Sequence, residues 1–289
     1  MRPGRLVLVD GAGLLYRSFY AIENLSTADG RPTNALYGFI RSLRQIAQMW
    51  RPSHWGVVFD GGIPAARLTL LPTYKAQRPP MPDALRSQIA PVEEFLERSE
   101  IRLWRVPGEE ADDVLASLAA HGAGEIQETL IISADKDLFQ VVTEAIGMVS
   151  PAQMEHRFGP AEVVAKTGVA PEQIVDWLAL TGDGVDNIPG VPGVGPKTAA
   201  KLLKEHGSLD GVWLRIESVA SERIRQALLT HRSVVERNQA LIRLRRDMPC
   251  ALDWERTAVR SESPERMLPF YREMEFHTLA RPLEEQTLL

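Results

Sequence analysis

The sequence predicts an α/β fold: a mainly parallel sheet flanked by helices, followed by a helical region. Three observations predict it. Strand-like and helix-like segments alternate from the N-terminus to about residue 150. Three of the strand-like runs deliver an aspartate at or just past their ends, Asp10, Asp60 and Asp135. From about residue 160 the pattern changes to helices and turns. Alternation of this kind joins parallel strands through crossover helices, and sites in such sheets form beyond the carboxyl ends of the strands.

RLVLVD, residues 5–10, is a strand ending on Asp10. TNALYGFIRSLRQIAQMW, residues 33–50, is an amphipathic helix, because Leu36, Phe39, Ile40, Leu43, Ile46, Ala47 and Trp50 share one face. HWGVVFD is a second strand, ending on Asp60. Residues 64–82 set Pro64, Pro72, Pro79, Pro80 and Pro82 among Arg67, Tyr74, Lys75 and Arg78. Proline lacks the amide a helix needs, so this stretch is expected to be interrupted and exposed. DALRSQIAPVEEFLERS resumes as a helix with a kink expected at Pro91, and IRLWRV is a third strand. In GEEADDVLASLAA, acids fill a first helical turn, where the helix dipole favours negative charge, and Val114, Leu115 and Leu118 mark a buried face. TLIIS and IGMVS are short β-rich runs, read as the fourth and fifth strands. Helices and turns follow to about residue 246, and RPLEEQTLL reads as a surface tail.

The 289 residues, 44% hydrophobic and 25% charged, suit one large or two modest globular domains. A lone cysteine, Cys250, excludes an internal disulfide and fits a reducing compartment. No apolar run approaches the ~20 residues a membrane span requires, and the first apolar run meets an Asp, so it is a strand and not a signal peptide. A cytoplasmic protein is expected. The net charge of −5 argues weakly against a polyanion partner. Setting aside nine acids as metal ligands leaves 29 acids against 33 bases, so overall charge does not decide the partner.

Glu110 and Asp113 are three apart and share a helix face, with Asp112 beside them. Asp135 and Asp137 are two apart beyond a strand and can point the same way. Taken singly, such acids are dipole complements, caps or turn residues; their convergence on one sheet edge argues for a site. LTGDGVDNIPG adds Asp183 and Asp186 in turn chemistry, able to face that site across a domain junction. VPGVGPKTAAKLL reads as a glycine hairpin between two helices, with Gly193, Gly195, Lys197, Thr198 and Lys201 placed to hold a phosphate backbone by amides and a basic face. It is not a P-loop, because Pro196 interrupts the motif and no strand precedes it. Tyr74, Lys75 and Arg78 form either a solvated basic loop or a gate that steers phosphate and stacks a base. Nucleophile-elbow and zinc-ligand spacings are both missing. An all-carboxylate set favours a hard cation, Mg²⁺ above all, and two such ions about 3.5–4 Å apart can drive phosphodiester hydrolysis.

VDGAGLLYRSFYA, VVFDGG, YKAQRPPMP, VPGEEADDVLASLA, ISADKDLFQ and LTGDGVDNIPGVPGVGPKTAAKLL together resemble the 5′-nuclease (flap endonuclease) family. The resemblance is strongest to the branch that forms the N-terminal 5′–3′ exonuclease domain of bacterial DNA polymerase I, and it runs from about residue 5 to 280. It implies a PIN-like α/β catalytic domain over residues 1–165, with an arch or gateway at about 64–90. A helix-three-turn-helix DNA-binding region would occupy residues 166–289. It carries metal ligation, by two Mg²⁺ ions with Mn²⁺ as the alternative, to Asp10, Asp60, Glu110, Asp112, Asp113, Asp135, Asp137, Asp183 and Asp186. Lys75 and Arg78 would contact the scissile phosphate with Tyr74 beside them. Gly193, Gly195 and Lys197 would hold duplex DNA, with K⁺ at the hairpin. The implied activity is metal-dependent cleavage of DNA at 5′ ends, nicks or flaps in replication and repair, by a monomer served by a polymerase in trans. FDGG departs from the family's usual residues after the second acid, and the prolines at 79–82 put the shape of the arch in question. The length leaves no room for a polymerase domain, so the chain reads as a standalone nuclease or an excised domain. Two rivals are a PIN-like ribonuclease acting on RNA 5′ ends and a non-catalytic branched-DNA binder.

Overall fold

The computed structural model describes residues 2–287. Five parallel strands, β1 (Arg2–Asp10), β2 (His54–Val58), β3 (Arg102–Trp104), β4 (Ile126–Ile132) and β5 (Ile146–Val149), form the sheet, and β6 (Arg157–Phe158) adds an antiparallel edge that the sequence pattern did not announce. The order is β3-β2-β1-β4-β5-β6. The chain therefore winds outward from β1 one way, then crosses to β4 and winds outward the other way. The carboxyl ends of β1 and β4 flank that switch point, where α/β sheets open a crevice.

Period-two alternation divides the core between two faces. On β1, Leu6 and Leu8 pack with Val114, Leu115 and Leu118 of α6 (Ala111–Gly122), and the same cluster continues into the helical unit through Leu178 and Leu203. Val7 and Val9 face the other way, onto α1 (Gly11–Ala21) and α2 (Asn34–Trp50), through Leu14, Leu15, Leu36, Phe39 and Ile40. Each of these fully buried side chains contributes roughly 1.5–3 kcal/mol. α1 was not legible in the pattern, since Gly11 and Gly13 weaken its first turn. Asp10 starts it: its carboxylate accepts a hydrogen bond from Gly13 N at 2.8 Å.

The stretch expected to be exposed is partly buried. α3 (Ala65–Leu70) turns Arg67 inward to 7% exposure, and the loop behind it buries Tyr74 to 4%. The reason is polar: Arg67 pairs with Glu110 and Asp113 at the start of α6, and the Tyr74 hydroxyl meets Glu110 and Asp186. The helix expected at 83–99 is broken into α4 (Asp83–Arg86) and α5 (Ile89–Arg98). The break lies upstream of Pro91, which sits in the first turn of α5, where a missing amide matters little. Buried Gln88 occupies the break and bonds Leu36 N (3.0 Å) and Asn34 Oδ1 (2.9 Å), so it caps α2 from outside.

The helical unit comprises α7 (Pro160–Thr167), α8 (Ile174–Thr181), the short hairpin of β7 (Gly182–Asp183) and β8 (Ile188–Pro189), α9 (Pro196–His206), α10 (Leu209–Leu214), α11 (Glu222–Thr230) and α12 (Arg232–Ile242). α13 (Trp254–Thr257) leads to α14 (Pro264–Glu273) and α15 (His277–Thr287). The expected surface tail is α15 up to Thr287, with Leu279, Ala280 and Leu283 buried; the last two residues lie outside the described part. α14 and α15 pack through Phe270, Tyr271 and Leu283 onto the α1–α2 face. Residues after 166 are thus divided between the two faces of the sheet. No described helix is long and apolar enough to cross a membrane.

Candidate metal centre and nucleic-acid interface

Asp10 ends β1, Asp60 lies two residues past β2, and Asp135 lies three past β4. Each is fixed locally. Asp10 Oδ2 accepts from the Ser133 hydroxyl at 2.9 Å, and an added Cβ at Gly13 would overlap the Asp10 carboxylate. Asp60 Oδ1 accepts from Ala111 N at 2.9 Å, tying it to the start of α6. Asp135 Oδ1 accepts from Asp137 N at 2.9 Å and caps a 3₁₀ turn. Asp10 and Asp135 are thus caps as well as acids at the carboxyl-end edge of the sheet. The FDGG departure has a steric reason: a Cβ at Gly61 would collide with the Val106 carbonyl, since Gly61 N bonds Glu109 O at 2.9 Å.

Electrostatics joins seven of the nine expected acids into one cluster. Burial pushes the Asp10 carboxyl up to about 6, with further push from Asp60 and Asp135. Burial and then Asp135 and Asp10 raise Asp112 well above the usual range. Asp135 is raised by burial against neighbouring Asp186 and Asp183, and Asp137 by burial, Asp135, Asp183 and Asp186. One buried oxygen, Asp137 Oδ1, has no hydrogen-bond partner. Of these seven, only Asp183 and Asp186 have an ion-pair partner among the described residues; close oxygen donors without counter-charge are the condition under which divalent cations bind. Among the described residues, no three of these side chains close on one point as a finished cation cage.

Glu110, Asp113, Asp183 and Asp186 are paired with cations. Glu110 is paired with Arg67 and Lys75. The Tyr74 hydroxyl, held protonated by burial and by the two acids, lies 3.2 Å from Glu110 Oε2 and 3.1 Å from Asp186 Oδ2. Arg78 reaches Asp186 at 2.5 Å, and Lys75 lies 3.6 Å from it. Burial alone would lower the Lys75 ammonium, but Glu110 and Asp186 outweigh it and hold it charged. Lys75 also takes a left-handed backbone conformation, φ 56°, secured by its amide on Asp186 O at 3.0 Å. Such a conformation costs of order 1 kcal/mol and is kept where the surroundings enforce it. Asp183 pairs with Lys136 at 3.2 Å.

Two expectations are corrected. Tyr74 is not an exposed base-stacking ring; its hydroxyl bridges two acids in a buried position. Asp113, expected as a ligand, is fully buried with both oxygens occupied: Arg67 at 2.6 and 3.0 Å and Arg245 N at 2.9 Å. Sequence reasoning missed three residues that touch the acids. Arg67 stood among the loop cations without a visible partner, Ser133 looked like a strand end, and Lys136 lay unremarked between two acids.

The hairpin forms as expected. Gly193 has φ 81°, which a side chain would resist. Gly195 starts α9 without a side-chain cap, so first-turn amides stay open to an anion. Trp177 Nε1 donates to Pro196 O at 3.0 Å and anchors the turn. Lys197 and Lys201 are exposed, and Thr198 is half-buried. Arg223, thirty residues on and not singled out, places its guanidinium beside Gly193.

The raised carboxyls make a prediction about pH. A raised folded pKa means the folded state holds protons more tightly, so stability falls as pH climbs from about 4 through about 6 for Asp10. A divalent ion that relieves the repulsion should therefore stabilise far more at pH 8 than at pH 5. Thermal melts with Mg²⁺ and with EDTA at both pH values check this; equal stabilisation at pH 5 would contradict it.

A parallel sheet opening at a carboxylate-lined switch point, joined to a helical unit bearing an amide-rich hairpin, is the architecture of PIN-like nucleases. Two family models match the chain: a 5′-3′ exonuclease N-terminal resolvase-like domain over residues 5–168, and a 5′-3′ exonuclease C-terminal SAM fold over 169–265. A 5′-3′ exonuclease of Aquifex aeolicus is 37% identical over 280 residues, covering 97% of this chain and 95% of the relative. The thermostable DNA polymerase I of Thermus thermophilus is 38% identical over 278 residues, covering 96% of this chain but only 33% of the polymerase. Among solved structures, the T5 D15 protein co-crystallised with metal ions superposes with a TM-score of 0.69 at 22% identity, covering 82% of this chain and 89% of that one. The catalytic core of Rad2 in complex with DNA substrate gives 0.62 at 18% identity, covering 94% and 88%. The chain belongs to the 5′-3′ exonuclease family.

Proposed function

We propose that this chain is a divalent-metal-dependent, structure-specific 5′ nuclease that hydrolyses phosphodiester bonds at 5′ ends, nicks or flaps of DNA. The observation that carries the reading is the cluster of seven carboxylates, four of them raised by burial and by their acidic neighbours and one with an orphaned buried oxygen, beside the cations Lys75 and Arg78. Asp10, Asp60, Asp112, Asp135, Asp137, Asp183 and Asp186 would hold two ions, Mg²⁺ first and Mn²⁺ as substitute, with Glu110 at their border. Ions bound there supply Lewis acidity at the phosphodiester and a more acidic water. Lys75 and Arg78 orient the scissile phosphate, and the hairpin of Gly193, Gly195, Lys197, Thr198 and Lys201 grips the duplex backbone, with K⁺ as the ion the family resemblance implies there. The metal ions of the T5 D15 structure and the DNA of the Rad2 complex support this assignment by analogy of fold.

A 5′-labelled DNA flap, its RNA counterpart, Mg²⁺ and EDTA test the reading. Cleavage of the DNA flap in Mg²⁺, leaving a 5′-phosphate and stopping in EDTA, is expected. Activity that survives EDTA, or a clear preference for the RNA flap, would overturn it. In the same assay Lys75→Ala should slow single-turnover cleavage about 10²- to 10³-fold, the usual loss of a preorganised charge. Its Kd for the flap, measured by anisotropy in EDTA, should change little. A weakened Kd with an unchanged rate would make Lys75 a docking contact.

A further inference from the structure

We infer that Ser133 is a positioning residue for the paired cations, its hydroxyl locking the Asp10 carboxylate to the backbone of Asp135 across the switch point. This rests on the metal reading above. Ser133 follows the last residue of β4, and its amide continues the sheet ladder by donating to Val149 O at 3.1 Å. Its side chain is almost wholly buried. A hydroxyl has one proton to give and lone pairs to accept with, and here both uses are filled. Oγ donates to Asp10 Oδ2 at 2.9 Å, and Asp135 N donates to Oγ at 3.1 Å.

The consequence is a continuous chain of hydrogen bonds. Gly13 N holds Asp10 Oδ1, Ser133 holds Asp10 Oδ2 and Asp135 N, and Asp135 Oδ1 holds Asp137 N. One bond on each oxygen of Asp10 fixes the plane of its carboxylate while leaving a lone pair on each for a cation. One small side chain, which would touch neither metal nor DNA, thereby ties the Asp10 carboxylate at the end of β1 to the backbone turn that carries Asp135 and Asp137 after β4. The Ser133 hydroxyl donates only to Asp10, so its removal leaves that carboxylate held by Gly13 N alone, without removing any charge from the cluster.

Partners of this kind typically set metal affinity by 10- to 100-fold. Mn²⁺ binding, read by electron paramagnetic resonance of the free ion, should therefore weaken about 10- to 100-fold in Ser133→Ala and stay close to wild type in Ser133→Thr, which keeps the hydroxyl. Flap cleavage by Ser133→Ala should recover as Mn²⁺ is raised, and melting in EDTA shows that the variant folds. Wild-type Mn²⁺ affinity in Ser133→Ala would overturn the inference while leaving the metal reading intact. Equal weakening in Ala and Thr, with equal loss of melting temperature, would also overturn it, because packing and not the hydroxyl would then be responsible. A wild-type chain that binds no Mn²⁺ would instead defeat the metal reading itself, and this inference with it.

Discussion

Asp112→Ala is expected to lower single-turnover cleavage of a 5′ flap by roughly a thousandfold or more, with the melting temperature in EDTA unchanged or raised. Two properties of the side chain combine to give this result. Asp112 projects from the first turn of α6 into the acid cluster, where Asp135, Asp10 and Asp137 all raise it after burial has done so. No hydrogen bond to its carboxylate is present among the described residues, so the fold draws no support from it. Removing it takes away repulsion in the metal-free protein. Removing a ligand from a two-metal site forfeits several kcal/mol of transition-state stabilisation, and about 4 kcal/mol corresponds to three orders of magnitude in rate. A variant that cleaved at the wild-type rate would remove Asp112 from the site. One that lost rate only because it melted early would assign it to the fold.

Its neighbour should behave in the opposite way. Asp113→Ala is expected to destabilise the metal-free protein by about 3–5 kcal/mol, the usual result of breaking a buried ion pair from one side. Arg67, 7% exposed, would lose its bidentate partner and keep only Glu110 and the carbonyl of Leu241, to which its Nε donates at 3.0 Å. Arg245 N would lose its acceptor as well. Against a total stability of some 5–15 kcal/mol this is a large fraction, and urea unfolding in EDTA reads it directly. Arg67→Met placed in the same background should restore part of the loss, because the uncompensated charge is gone. If Asp113→Ala unfolded like wild type, its carboxylate would be free and the ligand expectation would return.

The contrast between these adjacent residues marks how far the sequence could be read. The parallel sheet was legible because each central strand is an apolar run that stops at or near an acid, and α2 because its apolar stripe has the helical period. The gathering of Asp10, Asp60 and Asp135 at one edge followed from topology alone. The division of labour inside GEEADD did not. Glu110 and Asp113 turn towards Arg67 and Asp112 turns towards the sheet, and that depends on a guanidinium more than forty positions away in the chain. The same distance problem hid the burial of Tyr74, whose partners lie on α6 and on the later hairpin. α1 was hidden differently, by glycines that depress helix propensity locally and are kept because Gly13 lies against the Asp10 carboxylate. α15 was misread because Leu279 and Leu283 have a binding face only once α14 and α2 are in place.

The proposed function requires two cations among carboxylates from both halves of the chain. Anomalous diffraction from crystals soaked in Mn²⁺ tests that most directly. Two peaks about 3.5–4 Å apart, bounded by Asp10, Asp112 and Asp135 on the sheet side and by Asp137, Asp183 and Asp186 on the other, are expected. Peaks elsewhere, or none at all in crystals that tolerate the soak, would contradict it.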